Sequence, residues 1–580
     1  MTVHKYRSSL LPLLLAALTV LAFLPVLQNG FVDWDDSAVL LANPNYRGLG
    51  WTQLGWMFTT FYMSLYRPLA WLTLGFDYRL WGMNAAGYHA TSLSFHAANA
   101  VLVYAIAGQL YRLARRQDST GETTRLQLAA ASAALFFSLH PLTVEPIAWA
   151  SARSDPVAAF FIFVSTLCYL RAAENAAPRQ WLLASWAAYS LSLFSKATGV
   201  TFPIVLLALD FYPLRRLDGA SGKWFGGAAR PVWLEKVPFF ALGLAAALIS
   251  ILSKEQGAAI YDYRLWTNLP QAAYAILFYF RKTVAPYHLS PIYPVPSAVE
   301  FWRWPVVACA IIVFGVTAAL LVERKRWPAA LASWTSFVAI LLPVSGLIKY
   351  GPQLVADRYA YVPTAVCAVG LGALLLVARK TLPRRSVLVS AFATAILFVF
   401  ATLTWRQTHI WRDSESLFRR AIAVAPRSVV AHHNLGAVLA AEGRLDEAIE
   451  QYRLALAVRA YPEAHFEWAN ALIRQGKTDE AEHQYREALK MDPSFAEGRN
   501  NLGLILASRG KIDEAIAEYR EALKVKPDFA LAHVNLGDAL LQEGKTDEAI
   551  AHFNKALELD PNLASARQSL AKALGAIQRR

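Results

Sequence analysis

The chain has 580 residues, of which 56% are hydrophobic and only 17% are charged. This composition excludes an ordinary soluble enzyme and is typical of a protein that crosses the membrane several times. The net charge of +14 does not indicate nucleic-acid binding, because much of the excess Lys and Arg lies in short loops between apolar runs. Cys168, Cys309 and Cys367 lie within apolar runs, which excludes a disulfide framework or a zinc site.

Apolar runs long enough to cross the bilayer predict eleven membrane-spanning helices. The first begins like a signal peptide, but its apolar stretch has nearly the length of a membrane span and no cleavage-like site follows it, so we expect an uncleaved helix. With the N-terminus inside, four of the five loops expected in the cytoplasm are rich in Lys and Arg, as orientation requires. The predicted spans are 9–27, 88–111, 126–140, 156–172, 180–195, 198–212, 236–253, 305–322, 328–346, 360–379 and 386–404.

One further apolar segment, residues 269–286, does not fit this alternation of loops. A full span there would place the basic sequence ERKRW outside the cytoplasm. We therefore predict that the segment lies at the outer face of the membrane, with Arg281 and Lys282 near the lipid headgroups. The odd number of spans then leaves the C-terminus outside.

After Trp405 the sequence becomes polar and repeats itself. Small residues at 436, 469, 503 and 537, and aromatic residues at 452, 485, 519 and 553, recur in steps of 33, 34 and 34 residues, which is the tetratricopeptide period. We predict a membrane domain over 1–404 and a repeat domain over 405–580, built from a half repeat, four repeats and a capping helix at 562–578. The predicted fold class is all-α: a polytopic membrane helical bundle followed by an α-solenoid, whose concave surface binds protein.

The polar residues that could carry chemistry lie in the loops predicted to face outward. Ionisable groups near a bilayer are costly, which favours a functional role for them. Cations at this surface suit a phosphate group, and a partly desolvated aspartate beside them suits a general base. The acids are Asp35, Asp36, Glu145, Asp155 and Asp357, and the cations are Arg153, Lys196, Lys349 and Arg358.

Several motifs in these loops carry a resemblance to a known family. They are FVDWDD, HPLTVEPIAWASARSD, SKATG and LLPVSGL with ADRYAYVP, followed by the C-terminal repeats. In this order they resemble the transmembrane-and-tetratricopeptide-repeat (TMTC) proteins of the GT-C glycosyltransferase superfamily, alongside the protein O-mannosyltransferases. The resemblance implies a GT-C-like bundle and transfer of a sugar, with mannose favoured, from a polyprenyl-phosphate donor on the non-cytoplasmic face. The acceptor would be a hydroxyl group, with protein Ser or Thr favoured.

The same resemblance implies that an acidic pair in the first outer loop carries the catalytic base. Carried over to this chain, Asp35 is the base that deprotonates the acceptor hydroxyl, and Asp36 is its partner. One extra residue separates FV from this pair, so Asp33 stays a candidate. No cofactor is required, although a divalent metal at Asp35 and Asp36 is left open. Ala197 stands where the eukaryotic relatives have an acid, which weakens any role carried over to that position.

The cations follow from the resemblance in the same way. Arg358 would bind the donor phosphate, with Lys196 or Arg153 beside it; the alternative for Arg358 is an interfacial arginine that only reaches toward the lipid headgroups. Glu145, Arg153 and Asp155 either support the site or form a structural ion-pair network in the second outer loop.

The remaining candidates have equally plain structural alternatives. His140 precedes a proline at a helix end, where it either supports the site or only caps the helix, and Asp357 precedes the phosphate-binding arginine. Asn434, Asn501 and Asn535 recur in the repeats and either hold an extended acceptor peptide or are ordinary repeat consensus.

Two rival functions of other classes fit the same sequence. One is a non-catalytic assembly scaffold, in which the membrane part only anchors the repeats. The other is a lipid-sugar transporter or flippase, whose charges would line a path through the helices rather than cluster at one face. Compact loops and an Ala- and Arg-rich composition favour a bacterial inner membrane, with the N-terminus cytoplasmic and the repeats periplasmic.

Overall fold

The computed structural model consists of helices and connecting loops, and its described residues contain no β-strand, which confirms the all-α prediction. The chain forms two compact units, Met1–Val424 and Ala425–Arg580. The described residues are 2–115, 123–174, 178–217, 224, 226–227, 229–255, 265–293, 304–347 and 353–577.

Within its described residues, the first unit contains sixteen α-helices, connected in places by short 3₁₀ turns. Three of these turns, Ala150–Arg153, Ala197–Thr201 and Asp357–Ala360, position residues of the candidate site. The helices are α1 (Thr2–Phe23), α2 (Trp51–Thr59), α3 (Pro68–Trp81), α4 (Ala85–Arg115), α5 (Thr123–Ser138), α6 (Glu145–Ala148), α7 (Ser154–Glu174), α8 (Pro178–Ser195), α9 (Phe202–Phe211), α10 (Arg230–Glu255), α11 (Leu265–Val284), α12 (Trp304–Val322), α13 (Pro328–Leu341), α14 (Tyr361–Thr381), α15 (Ser386–Ile410) and α16 (Ser414–Val424).

Among the described residues, seven helices are long and apolar enough to cross a membrane, or eight if the bent pair Thr123–Ser138 and Pro141–Ala148 is one span. Each of the seven overlaps a predicted span. The other predicted spans correspond to this bent pair, to α8 and to the shorter apolar helices Ala197–Phe211 and Pro328–Val344. The count of eleven therefore stays a prediction.

The surface of two apolar helices, α12 and α15, fits contact with lipid. On α15, Phe392 and Phe398 are 69% and 74% exposed, and on α12 Val322 is 76% exposed. Contiguous apolar surface of this kind is rare on soluble monomers, whereas lipid tails solvate it well. These helices therefore have the surface expected of membrane spans.

The segment predicted to lie at the outer face forms helix α11, which begins four residues earlier than expected. Arg281 is exposed, but Lys282 is buried, contrary to the expectation of a headgroup contact. Its ammonium group donates hydrogen bonds to the carbonyl oxygens of Tyr287 and His288, at 2.6 and 3.0 Å. Lys282 therefore stabilises the turn that follows the helix, because those carbonyls would otherwise lack a donor.

A buried polar cluster joins four helices behind the candidate site. The phenol oxygen of Tyr361 on α14 lies 2.7 Å from Nδ1 of His96 on α4, and His96 Nε2 lies 3.0 Å from the carbonyl oxygen of Ser138 on α5. The amide of Asn99 donates to Tyr361 and to the carbonyl of Pro156 on α7. Because buried polar groups must find partners, this network fixes how the four helices meet.

The second unit is the predicted solenoid: four pairs of antiparallel helices and a final helix. Gly436, Gly503 and Gly537 each face an aromatic ring of the second helix in the pair, and an added Cβ would lie 2.5 Å from a ring carbon. The small residue is therefore what allows the two helices to approach. The helices are α17 (Val429–Ala441), α18 (Leu445–Val458), α19 (Pro462–Arg474), α20 (Thr478–Met491), α21 (Ala496–Ser508), α22 (Ile512–Val525), α23 (Ala530–Gln542), α24 (Thr546–Leu559) and α25 (Ala564–Ile577).

The two units divide later in the chain than the predicted boundary between residues 404 and 405. The half repeat, α16, belongs to the first unit. The hydroxyl of Ser414 accepts a hydrogen bond from the backbone N–H of Asp33 at 2.7 Å, and Arg420 donates to the carbonyl of Leu289 at 3.1 Å. These bonds join α16 to loops of the membrane part.

Substitution of Gly503 by Ala tests the close approach of helices in the repeats. We expect the added methyl group to overpack against Tyr519 and to lower the local free energy of unfolding by about 1–3 kcal/mol. Hydrogen exchange of the full chain should show faster exchange in α21 and α22. Ser508→Ala, at an exposed position of α21, is the control; an equal effect of both substitutions would contradict the packing argument.

Candidate functional site

The acidic loop after α1 is held in place by Asp36. Its carboxylate is fully buried and accepts hydrogen bonds from the backbone N–H of Val32 at 3.0 Å and of Ser151 at 2.9 Å, and from the Ser151 hydroxyl. Burial raises the pKa of Asp36 to about 6, although these hydrogen bonds favour the charged form. Asp36 therefore ties the first outer loop to the 3₁₀ turn before α7.

Asp35 lies beside this anchor but in a different environment. Its side chain is only partly buried, and its carboxylate accepts no hydrogen bond from any described residue. Burial raises the pKa of Asp35, whereas the positive charges of Arg358 and Arg67 act in the opposite direction. A carboxylate that is accessible, partly desolvated and without a donor can accept a proton from a bound hydroxyl group.

Arg358 is fixed by contacts on several sides. One guanidinium nitrogen lies 2.5 Å from Glu145 Oε1, and the backbone N–H of Arg358 donates to Oε2 of the same carboxylate at 3.1 Å. A second guanidinium nitrogen donates to Gln353 at 3.2 Å, and the group also lies over the rings of Trp149 and Tyr359, 5.2 and 4.9 Å from their centroids. Arg358 therefore keeps a defined orientation while part of its guanidinium stays available to a ligand.

A cleft of about 580 Å³, counting its open mouth, lies next to Arg358. Asp155 and Arg358 line it, and Lys196 pairs with Asp155 through distances of 2.6 and 2.8 Å. Most of the remaining wall is apolar. The cleft therefore combines a charged end with an apolar wall, which is the combination that a lipid-linked phosphate requires. The apolar lining includes Ala158, Ile162, Phe202, Ile340, Val344 and Val362.

Arg67 is a residue of this region that the motifs did not single out. It is buried, lies over the Trp71 ring at 4.8 Å and donates to the carbonyl of Ser151 at 3.4 Å. Its Nε finds no hydrogen-bond partner in the described part of the chain. The positive charge of Arg67 acts on Asp35 and on Asp155. The sequence contains one indication of a functional role for Arg67: it is a cation in YRPLAW, in the first loop predicted to face outward.

Arg153 does not reach the cleft, in contrast to its proposed role with the donor phosphate. It is fully buried and forms an ion pair with Asp77 at 2.7 Å, with further hydrogen bonds to Ser92 and to the carbonyl of Tyr88. A guanidinium satisfied by buried partners cannot turn to a ligand without breaking an ion pair, which is costly in the interior. Arg153 therefore holds α3, α4 and the turn before α7 together.

The supporting residues take structural positions. His140 is buried, with Nδ1 accepting from the backbone N–H of Leu142 at 3.2 Å and Nε2 lying 2.9 Å from the carbonyl of Thr283. Asp357 is also buried and accepts a hydrogen bond from the Tyr293 hydroxyl at 2.7 Å. Both residues therefore shape the loops around Arg358 rather than face the cleft.

Asp33 is exposed and accepts a hydrogen bond from the Ser37 hydroxyl, so its carboxylate has a local partner that Asp35 lacks. Lys349 lies outside the described residues. No group of three or more His, Cys, Asp or Glu side chains that could hold a metal ion occurs in the described part. Because the Asp36 carboxylate already accepts three hydrogen bonds, the acidic pair offers a divalent cation a poor set of ligands.

The repeated asparagines take part in a chain of side-chain hydrogen bonds. Asn535 donates to Asn500 at 2.7 Å, Asn500 donates to Asn501 at 3.1 Å, and Asn501 donates to Asn470 at 3.2 Å. Asn434 has no hydrogen bond of this kind among the described residues. The asparagine amides therefore bond across neighbouring repeats, and the binding of an acceptor peptide by them stays a prediction.

Comparison with known proteins agrees with the motifs. The family model described as "Tetratricopeptide repeat" matches residues 398–465, 466–524 and 508–564. Protein O-mannosyl-transferase TMTC4 of Mus musculus is 26% identical over 435 residues, which cover 67% of this chain and 57% of the relative. Protein O-mannosyl-transferase TMTC1 of Homo sapiens is 25% identical over 503 residues, which cover 77% of this chain and 55% of the relative.

This chain is similar to TMTC proteins over two thirds or more of its length. The similarity confirms the resemblance that the outer-loop motifs indicated, and the chain spans little more than half the length of these relatives. Among solved structures, the crystal structure of MamA is 26% identical, with a TM-score of 0.24, and its match covers 26% of this chain and 89% of that protein.

The anchoring role of Asp36 can be tested by measuring the stability of the protein. Asp36→Ala leaves the buried N–H groups of Val32 and Ser151 without an acceptor, and each such group costs about 1–3 kcal/mol. We expect a clear fall in the melting temperature of the full chain in detergent. The exposed Asp33→Ala serves as the matched control and should change it little; equal losses would contradict the anchor.

Proposed function

We propose that this protein is a GT-C-type integral-membrane glycosyltransferase. It moves a sugar, with mannose favoured, from a polyprenyl-phosphate donor to an acceptor hydroxyl, with protein Ser or Thr favoured. The relatives are named protein O-mannosyl-transferases, which supports the reaction class and the kind of acceptor. The observation that carries the proposal is the Asp35 carboxylate, which accepts no hydrogen bond from a described residue and lies within the electrostatic reach of Arg358, a residue that itself lines a cleft with an apolar wall.

The proposed step is a displacement at the anomeric carbon of the donor sugar. The acceptor oxygen forms a bond to this carbon while the bond to the phosphate oxygen breaks, and the electron pair of that bond leaves with the polyprenyl phosphate. Asp35 takes the proton of the acceptor hydroxyl. The leaving group is a stable phosphate anion, so the step needs no acid to protonate it, in contrast to the hydrolysis of glycosides.

The cations act on the leaving group. Negative charge develops on the phosphate in the transition state, and Arg358 is held rigidly by Glu145, so its charge is already oriented before the reaction. Lys196 lies 5.5 Å from the centroid of the Tyr359 ring and is held by Asp155 near the same cleft. The two cations would hold the phosphate at the charged end, while the polyprenyl chain follows the apolar wall.

The repeats would recruit the protein acceptor. A solenoid offers a long surface for an extended chain. The hydrogen-bonded asparagines of the repeats, among them Asn501 and Asn535, carry amide groups of the kind that bind a peptide backbone. The proposed location is a bacterial inner membrane, with the N-terminus in the cytoplasm and the repeats and the acidic loop outside. The basic composition of the loops predicted to be inside supports this orientation.

Substitution of Asp35 by Asn is the decisive test of the reaction. General-base catalysis contributes about 10²- to 10⁴-fold, so we expect the rate of transfer to fall by at least about 10²-fold. The purified full chain is incubated with polyprenyl-phosphate mannose and a Ser/Thr peptide, and the released polyprenyl phosphate is measured. Asp33→Asn, in the same loop, is the matched control and should keep most of the activity.

The rival functions give different results in the same experiment. A scaffold releases no polyprenyl phosphate in the wild type, and a flippase moves the donor across a vesicle membrane without cleaving it. Either result would overturn the proposal, as would an Asp35→Asn variant with wild-type transfer and an unchanged melting temperature.

The pH dependence of transfer tests the environment of the base. Asp35 must be ionised to accept a proton, and burial raises its pKa from the usual 3.8. Activity should therefore fall as the pH is lowered through this raised pKa, with the midpoint above the usual value. Arg67→Gln removes a cation that lowers the pKa of Asp35, so the midpoint of kcat/KM against pH should move to higher pH. A midpoint that Arg67→Gln leaves unchanged would contradict the electrostatic contact.

A further inference from the structure

A second charged cavity lies at the opposite end of the helices that carry the candidate site. It has a volume of about 490 Å³, counting its open mouth, and four cations line it: Arg115, Arg125, Arg379 and Lys380. These come from the end of α4, the start of α5 and the end of α14. Side chains from three helices therefore place positive charge around one cavity.

The distance from the candidate site follows from the geometry of α14. Arg358 and Arg379 are 21 residues apart within the apolar span Asp357–Thr381. At 1.5 Å per residue this is about 30 Å, which is the thickness of the hydrocarbon core of a bilayer. The candidate site and the second cavity therefore lie at opposite faces of the membrane. The second cavity cannot contact the phosphate of a donor that is bound at the candidate site.

The cavity is formed by closely packed helices. Gly372 on α14 allows this packing, because an added Cβ would lie 2.7 Å from the carbonyl oxygen of Ala129 on α5. The Tyr111 hydroxyl on α4 donates to the carbonyl of Val369 on α14 at 2.7 Å. The backbone positions that carry the surrounding cations therefore rest on a close contact between α4, α5 and α14.

The lining of the cavity contains no carboxylate among the described residues. No ion pair joins Arg125, Arg379 or Lys380 to an acid elsewhere in the described part of the chain. Several cations around one concave surface raise the local positive potential, and Arg125 and Lys380 are exposed, so an anion can reach them. The cavity therefore has the electrostatic character of an anion site.

Arg125 distinguishes this arrangement from ordinary topology-setting charge. Cations at the ends of α4 and α14 are expected, because the C-terminal end of a helix carries partial negative charge. Arg125 instead lies in the first turn of α5, where the helix dipole is unfavourable to a cation and where that turn itself contains no acidic residue. A bound anion would remove this conflict, since it would interact with Arg125 and with the start of the helix at once.

We propose that this cavity binds a phosphate group held at the membrane surface, supplied by the headgroup of an anionic phospholipid or by a soluble phosphate compound. Arginine guanidinium groups match the geometry of phosphate oxygens, and basic pockets between membrane helices bind lipid headgroups in this way. The cavity wall also includes Leu375 and Leu376, which offer apolar contact to the glycerol and the first part of the acyl chains.

Binding of defined lipids to the full-length protein tests this site. Purified protein in detergent is titrated with phosphatidylglycerol and with phosphatidylcholine, and binding is measured by native mass spectrometry. We expect preferential binding of phosphatidylglycerol and a loss of at least about tenfold in its affinity in the Arg125→Gln/Arg379→Gln variant. Soluble glycerol 1-phosphate and inorganic phosphate, titrated separately, show whether the phosphate must belong to a lipid.

The matched control is Arg384→Gln/Arg385→Gln, which removes the same charge from exposed positions of the neighbouring loop outside the cavity. It should keep the wild-type affinity, and the melting temperature of both variants should stay near that of the wild type. Binding of the soluble phosphates with the same dependence on Arg125 and Arg379 also supports the site and identifies a soluble ligand. Equal losses in both variants, or no loss in either, would overturn the proposal.

Discussion

The buried ion pair between Glu145 and Arg358 is the contact on which the candidate site depends. It joins residues 213 positions apart in the sequence, and both oxygens of Glu145 bond to the same arginine, through its side chain and its backbone. Removal of either partner would leave a charge buried without compensation, which costs far more than the pair itself contributes. The ion pair therefore acts less as a source of stability than as a means of fixing where the positive charge lies relative to Asp35.

Asp35 and Asp36, the two neighbouring aspartates of the acidic loop, lie in different environments. Asp36 is surrounded by donors that hold the loop against the turn before α7, whereas Asp35 is left with an accessible carboxylate and the charges of two arginines nearby. Because the two side chains are adjacent, the position of the first is set by the bonds of the second. The proposed site needs both carboxylates, although of the two only Asp35 is accessible.

The sequence predicted the helices and repeats well because periodicity and apolar length are local properties. The clustering of Asp35, Glu145 and Arg358 could also be predicted, since the charged residues of the outer loops had to share one face. What could not be predicted was which cation pairs with which acid. Arg153 and Arg67 look alike in the sequence. Only the folded chain shows that Arg153 forms an ion pair with Asp77, whereas the charge of Arg67 acts on Asp35.

The two ends of α14 show how charge balance separates two kinds of anion site. At the cleft, Arg358 and Lys196 each have an acidic partner, so the site is nearly neutral when empty and can release a charged product. At the other end, Arg379 and Lys380 have no acidic partner in the described part, so the cavity favours an anion that stays bound. The proposed transfer reaction needs the first property, because its donor would be turned over there, and the second property suits the anion proposed for the other end. Charge balance, rather than the number of cations, therefore distinguishes the two ends.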